Sequence, residues 1–333
     1  MNESFTLREI QPADSAALAE LVAASDGAMT TQFVHDAYAT ITQGAGVRTV
    51  GVVAERAGYA GFVGMGSVRF GAARFNGQRL PFAMLDNLKV LRKFRRQGLG
   101  RQLAEWRVRR ARAEFGDNGL ILTGMLTDNH ASRAVAQRWA REFVEPLMGM
   151  GTPVRSRPPE PMPGITVREA RPEEYAAIAA KQNAFFAAYN GYDSVSDEQM
   201  ANLLGKSPIG RPVYRFFVAA DAAGNLVAGA RAWYRGLLKV DRLPTDDLLR
   251  EISVQGLWHL PGQLRSAQHL WEWLRWLCRE DGTTLSITFD PRDPTRNAVA
   301  LEPGSGHQFA IALAVRGPTL IDRSRPFYGL NRV

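Results

Sequence analysis

The chain has 333 residues, of which 45% are hydrophobic and 22% are charged, and these proportions exclude a disordered protein. No apolar run approaches the roughly 20 residues that a membrane-spanning helix needs, and the opening MNESFTLREI lacks the pattern of a signal peptide. The net charge of +8 at pH 7 favours an anionic partner, and leaves nucleic acid, a membrane surface and a polyanionic cofactor open.

Cys278 is the only cysteine. One thiol can form neither a disulfide framework nor a cysteine-based zinc site. No pair of His, Asp or Glu residues at i, i+4 forms a pattern typical of metal ligands on a helix. We therefore expect a protein of the reducing cytoplasm that holds no metal.

Strand and helix patterns alternate along the first half of the chain. Residues Phe5–Val22 form an alternating strand followed by an amphipathic helix pattern. Further strands are predicted at Arg48–Glu55, Phe62–Phe70, Pro81–Leu91, Leu120–Leu126 and Pro146–Val154, and helices at Thr31–Gln43, Gly98–Phe115 and Ser132–Phe143. This order predicts a mixed α/β layer protein.

A proline-rich segment then divides the chain. Arg155–Gly164, RSRPPEPMPG, contains four prolines and a glycine. Because proline breaks helices and cannot donate a hydrogen bond to a sheet, this composition predicts an extended, stiff connector. We expect an N-terminal domain at residues 1–154, the connector at residues 155–164 and a C-terminal domain at residues 165–333.

The two halves begin alike, with FTLREIQPADSAALAELV from Phe5 and ITVREARPEEYAAIAAKQ from Ile165. Each has a strand with an Arg-Glu pair, then a proline and an acidic residue that suit the first turn of a helix. Such a repeat predicts two copies of one domain. The second copy continues with predicted strands at Tyr214–Ala220, Leu226–Tyr234, Ile252–Leu260, Thr284–Asp290 and His307–Val315, and a helix at Ser266–Arg279.

A basic stretch, LRKFRRQG, lies between the strand that ends near Val90 and the helix that begins near Gly98. The first turn of a helix presents N–H groups without helical partners, and the helix dipole adds positive charge there. Glycine lets a ligand approach the backbone closely, and the neighbouring arginines supply charged donors. These features predict an anion site suited to phosphate. The P-loop and the three-glycine dinucleotide motif are both absent.

The residues from Arg95 to Gly100, RRQGLG, fit the pattern [R/Q]-x-x-G-x-G after a strand and at the start of an amphipathic helix. This strand–loop–helix resembles the pyrophosphate-binding motif of the GNAT family of N-acetyltransferases. The resemblance implies an α/β (α+β) fold on a mixed sheet, two tandem GNAT-like domains and acetyl-CoA as cosubstrate. As a fold it covers nearly the whole chain, and as a motif only about Asp86–Ala140.

The resemblance also implies positions for the cosubstrate. The strand before the loop, with Leu88, Lys89 and Val90, would bind the pantetheine arm, mainly through the backbone of Leu88 and Val90. An N–H group there could also stabilise an oxyanion. The residues that would hold the pyrophosphate are Arg95, Arg96, Gln97, Gly98, Leu99, Gly100 and Arg101.

A second motif of the family is read here in TDNHASRAVAQRWAREF. Asn129 and Ser132 match it and are further candidate cofactor-binding residues. Ala136 stands where many members have a tyrosine that protonates the leaving thiolate, so the general acid is not assigned. In the second half, Pro261 and Gly262 replace the extended loop, which implies that this copy has lost cofactor binding.

The resemblance implies direct attack of a neutral amine on the thioester, with a carboxylate or a water chain taking the proton. Asp86 is the candidate catalytic base, directly or through water. It lies two residues before Leu88 in one strand, so we expect both side chains to point to the same face. The predicted function is acetyl transfer to a primary amine of a small molecule or peptide.

Two other functions stay open. The missing tyrosine motivates a non-catalytic acyl-CoA-binding or sensing protein. The net charge motivates a nucleic-acid-binding protein, which we favour less, because Arg107, Arg109, Arg110 and Arg112 are expected on the solvated face of their helix. No membrane partner is expected, and the sequence leaves a homodimer and the identity of the amine open.

Overall fold

A computed structural model describes residues 5–24, 30–43, 47–206, 209–243, 247–299 and 306–329. Its strands are β1 (Phe5–Glu9), β2 (Thr30–Phe33), β3 (Thr49–Arg56), β4 (Gly64–Phe75), β5 (Gln78–Val90), β6 (Leu120–Leu126), β7 (Glu142–Pro153), β8 (Ile165–Glu169), β9 (Tyr214–Asp221), β10 (Leu226–Trp233), β11 (Lys239–Arg242), β12 (Leu248–Leu249), β13 (Glu251–His259), β14 (Thr284–Phe289) and β15 (His307–Arg316). Its α-helices are α1 (Ser15–Ala23), α2 (Ala37–Gln43), α3 (Leu99–Phe115), α4 (His130–Ala136), α5 (Tyr175–Phe186), α6 (Asp197–Leu204) and α7 (Leu264–Leu277).

Twelve of these strands form one sheet in the order β1-β3-β4-β5-β6-β15-β7-β14-β13-β10-β9-β8. The strand order is the same when the sheet is followed inward from either end. From the first end it is β1-β3-β4-β5-β6, and from the other end it is β8-β9-β10-β13-β14. In each half the last two of these strands run parallel and the others antiparallel. The predicted mixed α/β fold with two repeated units is confirmed.

The last strand of each half crosses into the other half. Strand β7 ends the first half and pairs with β14 of the second, whereas β15 of the second half pairs with β6 of the first. The two exchanged strands pair with each other at the centre of the sheet. The halves therefore share one continuous sheet.

The sequence repeat corresponds to a repeated ion pair. Arg8 Nη1 donates to Asp14 Oδ2 at 2.7 Å in the first half, and Arg168 Nη1 donates to Glu174 Oε2 at 2.7 Å in the second. The prolines of the repeat each open a short 3₁₀ turn before α1 or α5. The residues that made the two halves look alike therefore build the same local structure twice.

The helix predicted at Thr31–Gln43 is wrong at its start, because Thr30–Phe33 is the strand β2 and only Ala37–Gln43 is helical. Strand β2 pairs with β11 of the second half in a separate three-stranded sheet. Threonine suits a strand, but the partner that decides the outcome is remote in sequence. This small sheet is a second link between the halves.

The helix predicted at Ser132–Phe143 is also too long, since α4 ends at Ala136 and β7 already begins at Glu142. The Arg141 N–H donates to Val315 O, on β15. Residues that the local pattern assigns to a helix therefore pair with β15, the exchanged strand, instead.

Helix α3 covers one face of β4 and β5, which we call the α3 face. Its buried side chains, Ala104, Val108 and Ala111, pack against Val68, Phe70, Ala83 and Leu85. The register of β4 and β5 places Ser67 opposite Asp86 and Arg69 opposite Met84 on the other face, which we call the inner face. Arg235 and Asp241 of the second half lie near Lys89 on this side of β5.

Candidate functional site

Strands β5 and β6 separate partway along their length. They pair through Phe82, Ala83 and Met84, which face Leu120, Ile121 and Leu122. Beyond these pairs β5 continues to Val90 and β6 to Leu126 without pairing to each other. The Thr123 hydroxyl donates to Leu85 O at 2.7 Å at the point where the strands part. The result is an opening between two strand ends, which we call the fork.

A β-bulge lies on β5 beside the fork. Asp86 pairs with Ser67 and Lys89 with Met65, so two residues of β5 oppose the single residue between them on β4. Asn87 has a positive φ of 54°, and its Nδ2 donates to Ser67 Oγ at 3.0 Å. The extra residue shifts the alternation of side chains along the strand.

The bulge changes the predicted relation of Asp86 and Leu88. Met65 and Ser67 are two residues apart on β4 and share the inner face, so Lys89 and Asp86 share it too. Leu88 precedes Lys89 and therefore points to the opposite side of the strand. The expectation that Asp86 and Leu88 point to one face is wrong, because simple alternation does not hold across a bulge.

The backbone groups of Leu88 and Val90 face the fork. The Leu91 N–H donates to Val63 O, next to β4. Because backbone hydrogen-bonding groups alternate along a strand, the N–H and C=O of Lys89 also face β4, whereas those of Leu88 and Val90 face away from it. Val90 O accepts from Arg95 Nε at 3.0 Å on that side. The opening is therefore lined on its β5 side by the backbone groups that the sequence pattern singled out.

Arg107 of α3 corrects a second expectation. It is buried, with 3% exposure, rather than on the solvated face of its helix. Its Nη1 donates to Asp86 O at 3.0 Å and its Nε to Leu103 O at 3.2 Å, and it lies against Gly66. Burial lowers the pKa of this guanidinium to about 10, against the opposing charge of Asp86. Arg107 thus fixes the backbone of the bulge from the α3 face.

The Asp86 side chain, the candidate base, is one-fifth exposed on the inner face. Its Oδ2 lies 3.3 Å from Arg69 Nη2. The ion pair with Arg69 fixes the Asp86 carboxyl group on the inner face beside the bulge. A carboxyl group in this position can accept a proton from an amine or hydrogen-bond to it.

The loop between β5 and α3 is anchored by an aromatic residue. Phe94 is buried in a short 3₁₀ turn and packs edge-on against Tyr59, with ring centroids 5.2 Å apart. Lys93 Nζ lies 3.9 Å from the Tyr59 ring centroid, a cation–π arrangement. The turn is thereby fixed to the hairpin that joins β3 and β4.

Two residues of the loop have left-handed backbone conformations, Arg96 with φ 62° and Gly98 with φ 82°. An arginine in this region is strained, and such strain is often found at binding sites. A Cβ on Gly98 would meet only Arg101 Nη2, at 4.0 Å. The space above Gly98 is therefore open to a ligand.

Helix α3 begins at Leu99 without a capping side chain. Gln102 N–H donates to Gly98 O at 3.1 Å, whereas in the described part of the chain the N–H groups of Leu99, Gly100 and Arg101 have no backbone acceptor. Leu99 itself is buried, so it offers only its N–H. Three free N–H groups below an open glycine fit a phosphate group.

Polar side chains of the loop are partly engaged. Gln97 accepts from Arg56 Nη1 at 3.3 Å and donates to Lys93 O at 3.0 Å. Arg101 lies 3.7 Å from Glu105 in an exposed i, i+4 pair, which is a weak interaction. Arg95 and Arg96 are exposed. The exposed side chains of Arg96 and Arg101 can therefore turn to an anion without breaking a buried contact.

The second motif lies next to the loop. A Cβ on Gly100 would meet Val135 Cγ2 of α4 at 3.9 Å. Asn129 caps α4, its Oδ1 accepting from the Ser132 N–H at 3.0 Å. Ala136 is buried among core side chains with 2% exposure, so no side chain from this position reaches the fork. The structure brings Asn129 and Ser132 to the start of α4 and gives them a capping role.

The second half has a corresponding fork between β13 and β14, but different residues line it. Strands β13 and β14 pair through three residues and then part, and Gly256 has φ 59° at a bulge on β13. The chain's own C-terminal segment enters here: Phe327 is fully buried and its N–H donates to Asp290 Oδ2 at 2.9 Å. Gly329 lies directly against Thr288. Tyr328 and Gly329 therefore occupy part of this fork, and a small pocket remains between them and Gly256, Leu257 and Ile287.

Only four residues separate β13 from α7, against eight between β5 and α3. Pro261 and Gly262 lie in this short link, and the Gln263 N–H closes a tight turn onto Leu260 O at 3.0 Å. The link therefore has no counterpart of the extended loop that surrounds Gly98.

Two site residues had no functional assignment from the sequence. Thr123 is a β-branched polar residue within the apolar strand LILTGML, and that isolation was the available signal. Arg107 is one of several arginines on one helix, and only burial distinguishes it.

Within the described ranges, no three His, Cys, Asp or Glu side chains are placed to hold a metal ion, and no helix there is long and apolar enough to span a membrane.

Comparison with known proteins gives the following relatives. Residues 29–140 match the model of the acetyltransferase (GNAT) family, and no curated protein sequence matches the chain. Among solved structures, a GCN5-related N-acetyltransferase from Sphaerobacter thermophilus is similar with a TM-score of 0.61 at 16% identity, over 96% of this chain and 98% of that chain. N-myristoyltransferase from Saccharomyces cerevisiae, with bound myristoyl-CoA, is similar with a TM-score of 0.66 at 10% identity, over 99% and 90%. A GCN5-related N-acetyltransferase from Kribbella flavida gives 0.51 at 16% identity, over 94% and 71%. At these identities the structural likeness concerns the fold.

Proposed function

Because the chain carries a GNAT-family domain at residues 29–140, within a fold shared with GNAT acyltransferases, we propose that it transfers an acetyl group from acetyl-CoA to a primary amine. The acceptor is a small molecule or a peptide. The observation that carries the proposal is the open N-terminus of α3 beside the fork of β5 and β6, since these are the two features that an acyl-CoA needs.

The residues would contact the cosubstrate in three places. The N–H groups of Leu99, Gly100 and Arg101 would hold the pyrophosphate, with Arg95, Arg96 and Arg101 as charged donors. The backbone of Leu88 and Val90 would bind the pantetheine arm in the fork. Asn129 and Ser132 would contact the cosubstrate from α4. We assign binding to the first half alone, because Tyr328 and Gly329 enter the second fork and its short link to α7 offers no counterpart of the anion loop.

Acetyl-CoA supplies the activated thioester carbonyl. The chain's own residues orient the amine and move its proton. Asp86 lies on the inner face beside the fork and takes the proton, directly or through water. The bulge fixed by Arg107 sets the position of the Leu88 N–H, which stabilises negative charge on the carbonyl oxygen. Because Ala136 offers no hydroxyl, another group or solvent protonates the leaving thiolate.

Calorimetric titration with acetyl-CoA tests the proposal, using Gly98→Glu as the variant. The glutamate adds a Cβ at a left-handed φ and a negative charge above the N–H groups. We expect affinity to fall at least about tenfold, equivalent to roughly 1.4 kcal/mol. Gly116→Glu is the matched control, because Gly116 also has a positive φ, of 66°, with open space around it, but at the other end of α3. Failure of the wild type to bind, or equal loss in both variants, would contradict the proposal.

A non-catalytic acyl-CoA sensor remains the second candidate, favoured by the buried Ala136. It predicts acetyl-CoA binding without release of CoA for any amine. Repeating the titration with myristoyl-CoA tests the acyl length, since one similar structure binds that ligand. A cytoplasmic location, suggested by the single Cys278, belongs to the proposal as well.

A further inference from the structure

The base of the fork is closed by a side chain. The last backbone pair of β5 and β6 joins Met84 to Leu122, and the next residues in the same register are Leu85 and Thr123. Here the Thr123 hydroxyl donates to Leu85 O at 2.7 Å, whereas an unbroken parallel ladder would join backbone groups of the two strands. This hydrogen bond therefore marks how far a ligand can enter between the strands.

Thr123 lies on the α3 face. It pairs with Ala314 of β15, and Ala314 belongs to the buried cluster beneath α3 together with Ile121 and Met125, each two residues from Thr123. Because side chains alternate along a strand, Thr123 shares the face of these residues. Helix α3 lies over the same face, so a cosubstrate held at the open N-terminus of α3 reaches Thr123 from its own side of the sheet.

A second side chain holds the next carbonyl of β5. Arg107 Nη1 donates to Asp86 O at 3.0 Å from α3, so the consecutive carbonyls of Leu85 and Asp86 accept from side chains of two different elements. A threonine hydroxyl has a single hydrogen to donate, and Leu85 O takes it. Displacing β5 at this point would break both hydrogen bonds, and a buried carbonyl left without a partner is unfavourable. The base of the fork is therefore held at a fixed width.

The length of the fork limits the acyl group. With the pyrophosphate at the N–H groups of residues 99–101, the pantetheine arm enters at the open end and the acyl group points to the base. Leu88, whose N–H would face the thioester carbonyl, is three residues from Leu85, a separation of about 10 Å along an extended strand. Contact with Thr123 takes about 4 Å of this length, so about 6 Å remains. This length suits an acetyl or another short acyl group and is too short for a fatty acyl chain.

The side chains around the base disfavour a longer chain on either face. On the α3 face, Leu85, Met125 and Ala136 are buried with 2–4% exposure in one packed cluster, so a chain that turned there would displace core side chains. On the inner face, Asp86 and Lys89 follow each other along β5, and covering charged groups with an apolar chain is costly. A short group that ends at Thr123 meets neither obstacle.

We propose that Thr123 determines the acyl length that this chain accepts. Its hydrogen bond to Leu85 O closes the fork, and its side chain contacts the end of the acyl group. The inference rests on the proposed function and assigns the choice of a short acyl group to one residue of β6. Thr123 is accordingly a specificity-determining residue, because it contacts the transferred group and takes no part in proton transfer.

Calorimetric titration of the full chain with CoA, acetyl-CoA and octanoyl-CoA tests this assignment and needs no acceptor. We expect the wild type to bind acetyl-CoA at least about tenfold more tightly than octanoyl-CoA. Thr123→Ala removes both the closing hydrogen bond and the contact with the acyl group. Its affinity for octanoyl-CoA should rise at least about tenfold, while its affinity for CoA stays that of the wild type. Thr123→Ser keeps the hydroxyl and should retain most of the preference for acetyl-CoA.

Thr152→Ala is the matched control, because Thr152 is a buried threonine of the central strand β7 whose hydroxyl has no hydrogen-bond partner among the described residues. It should leave all three affinities unchanged. The role of Thr123 would be overturned by equal affinities of the wild type for the two thioesters, by an unchanged preference in Thr123→Ala, or by a lost preference in Thr123→Ser. Failure of the wild type to bind CoA and both thioesters would instead refute the proposed function itself.

Discussion

Lys239 is held where its charged form is disfavoured. Its pKa of about 7 in the folded chain lies below the ordinary value for lysine, so between pH 7 and about 10.5 the unfolded chain binds more protons. The folding stability of the wild type therefore rises with pH across this window. Below pH 7 the full destabilising effect of the buried ammonium is present.

Lys239→Met should consequently stabilise the protein near pH 6, by about 1–4 kcal/mol, and the gain should shrink as the pH rises. Urea unfolding at pH 6 and at pH 9 measures both effects, with Lys181→Met as the control. A gain that is absent, or that grows with pH, would contradict the assigned environment of Lys239.

At the residue scale, the sequence indicated which residue types form the site better than it indicated the face to which each side chain points. The glycine and arginine spacing of Arg95–Gly100 predicts an anion loop, and the left-handed backbone and open space at Gly98 are compatible with that prediction. The direction of Asp86 was wrong because Asn87 carries no local sign of a bulge. The burial of Arg107 could not be predicted either, since a helix with four neighbouring arginines gives no means of telling the buried one from the exposed ones.

At the scale of elements, α3 and β5 are coupled through Arg107. Its guanidinium reaches across the α3 face to the carbonyl of Asp86, one residue before the bulge. Arg107 is therefore a positioning residue, since it contacts the backbone that shapes the fork and no reacting atom.

Arg107→Met should lower kcat by roughly 10- to 100-fold, because small displacements at a reacting centre have effects of this size. The acetyl-CoA affinity should change little, because the loop at Gly98 is anchored separately by Phe94. Arg107→Lys keeps a donor and should recover part of the rate, and the exposed Arg109→Met serves as the control. Equal losses in kcat and in affinity would show that Arg107 supports the fold in general rather than the bulge.

Most helices and strands were predictable because their patterns are local. Leu120–Leu126 agrees to the residue, and α3 differs from its prediction by one residue. The errors fall where a remote partner decides the outcome. Strand β2 pairs with β11, and the residues after α4 join the exchanged strand β15. No window of neighbouring residues contains that information.

At the scale of the molecule, the repeated order of strands could be predicted from sequence, and the exchange of strands could not. The boundary expected at residue 154 follows the end of β7 closely, yet β7 lies between β14 and β15 of the other half. A repeat shows that a unit occurs twice, but it does not show which copy a terminal strand joins. The shared sheet is also what brings Lys89 to the charged residues of the second half.

Cutting the connector should therefore leave the two pieces associated. Ser156 and Arg157 are exposed, so a protease site placed there can be cleaved in the folded protein. We expect both fragments to elute together in size-exclusion chromatography, to separate only in denaturant, and to bind acetyl-CoA as the intact chain does. Separate elution in native buffer would show that β7 and β15 do not hold the halves together.

A chain that ends at residue 299 is the complementary control. It keeps the whole anion loop and the fork but lacks β15, so the edges of β6 and β7 lose their shared partner. Unpaired strand edges promote aggregation, and we expect this chain to be insoluble or unable to bind acetyl-CoA. Full binding by the truncated chain would mean that the first half folds alone, and the acceptor site would then have to be sought within residues 1–154.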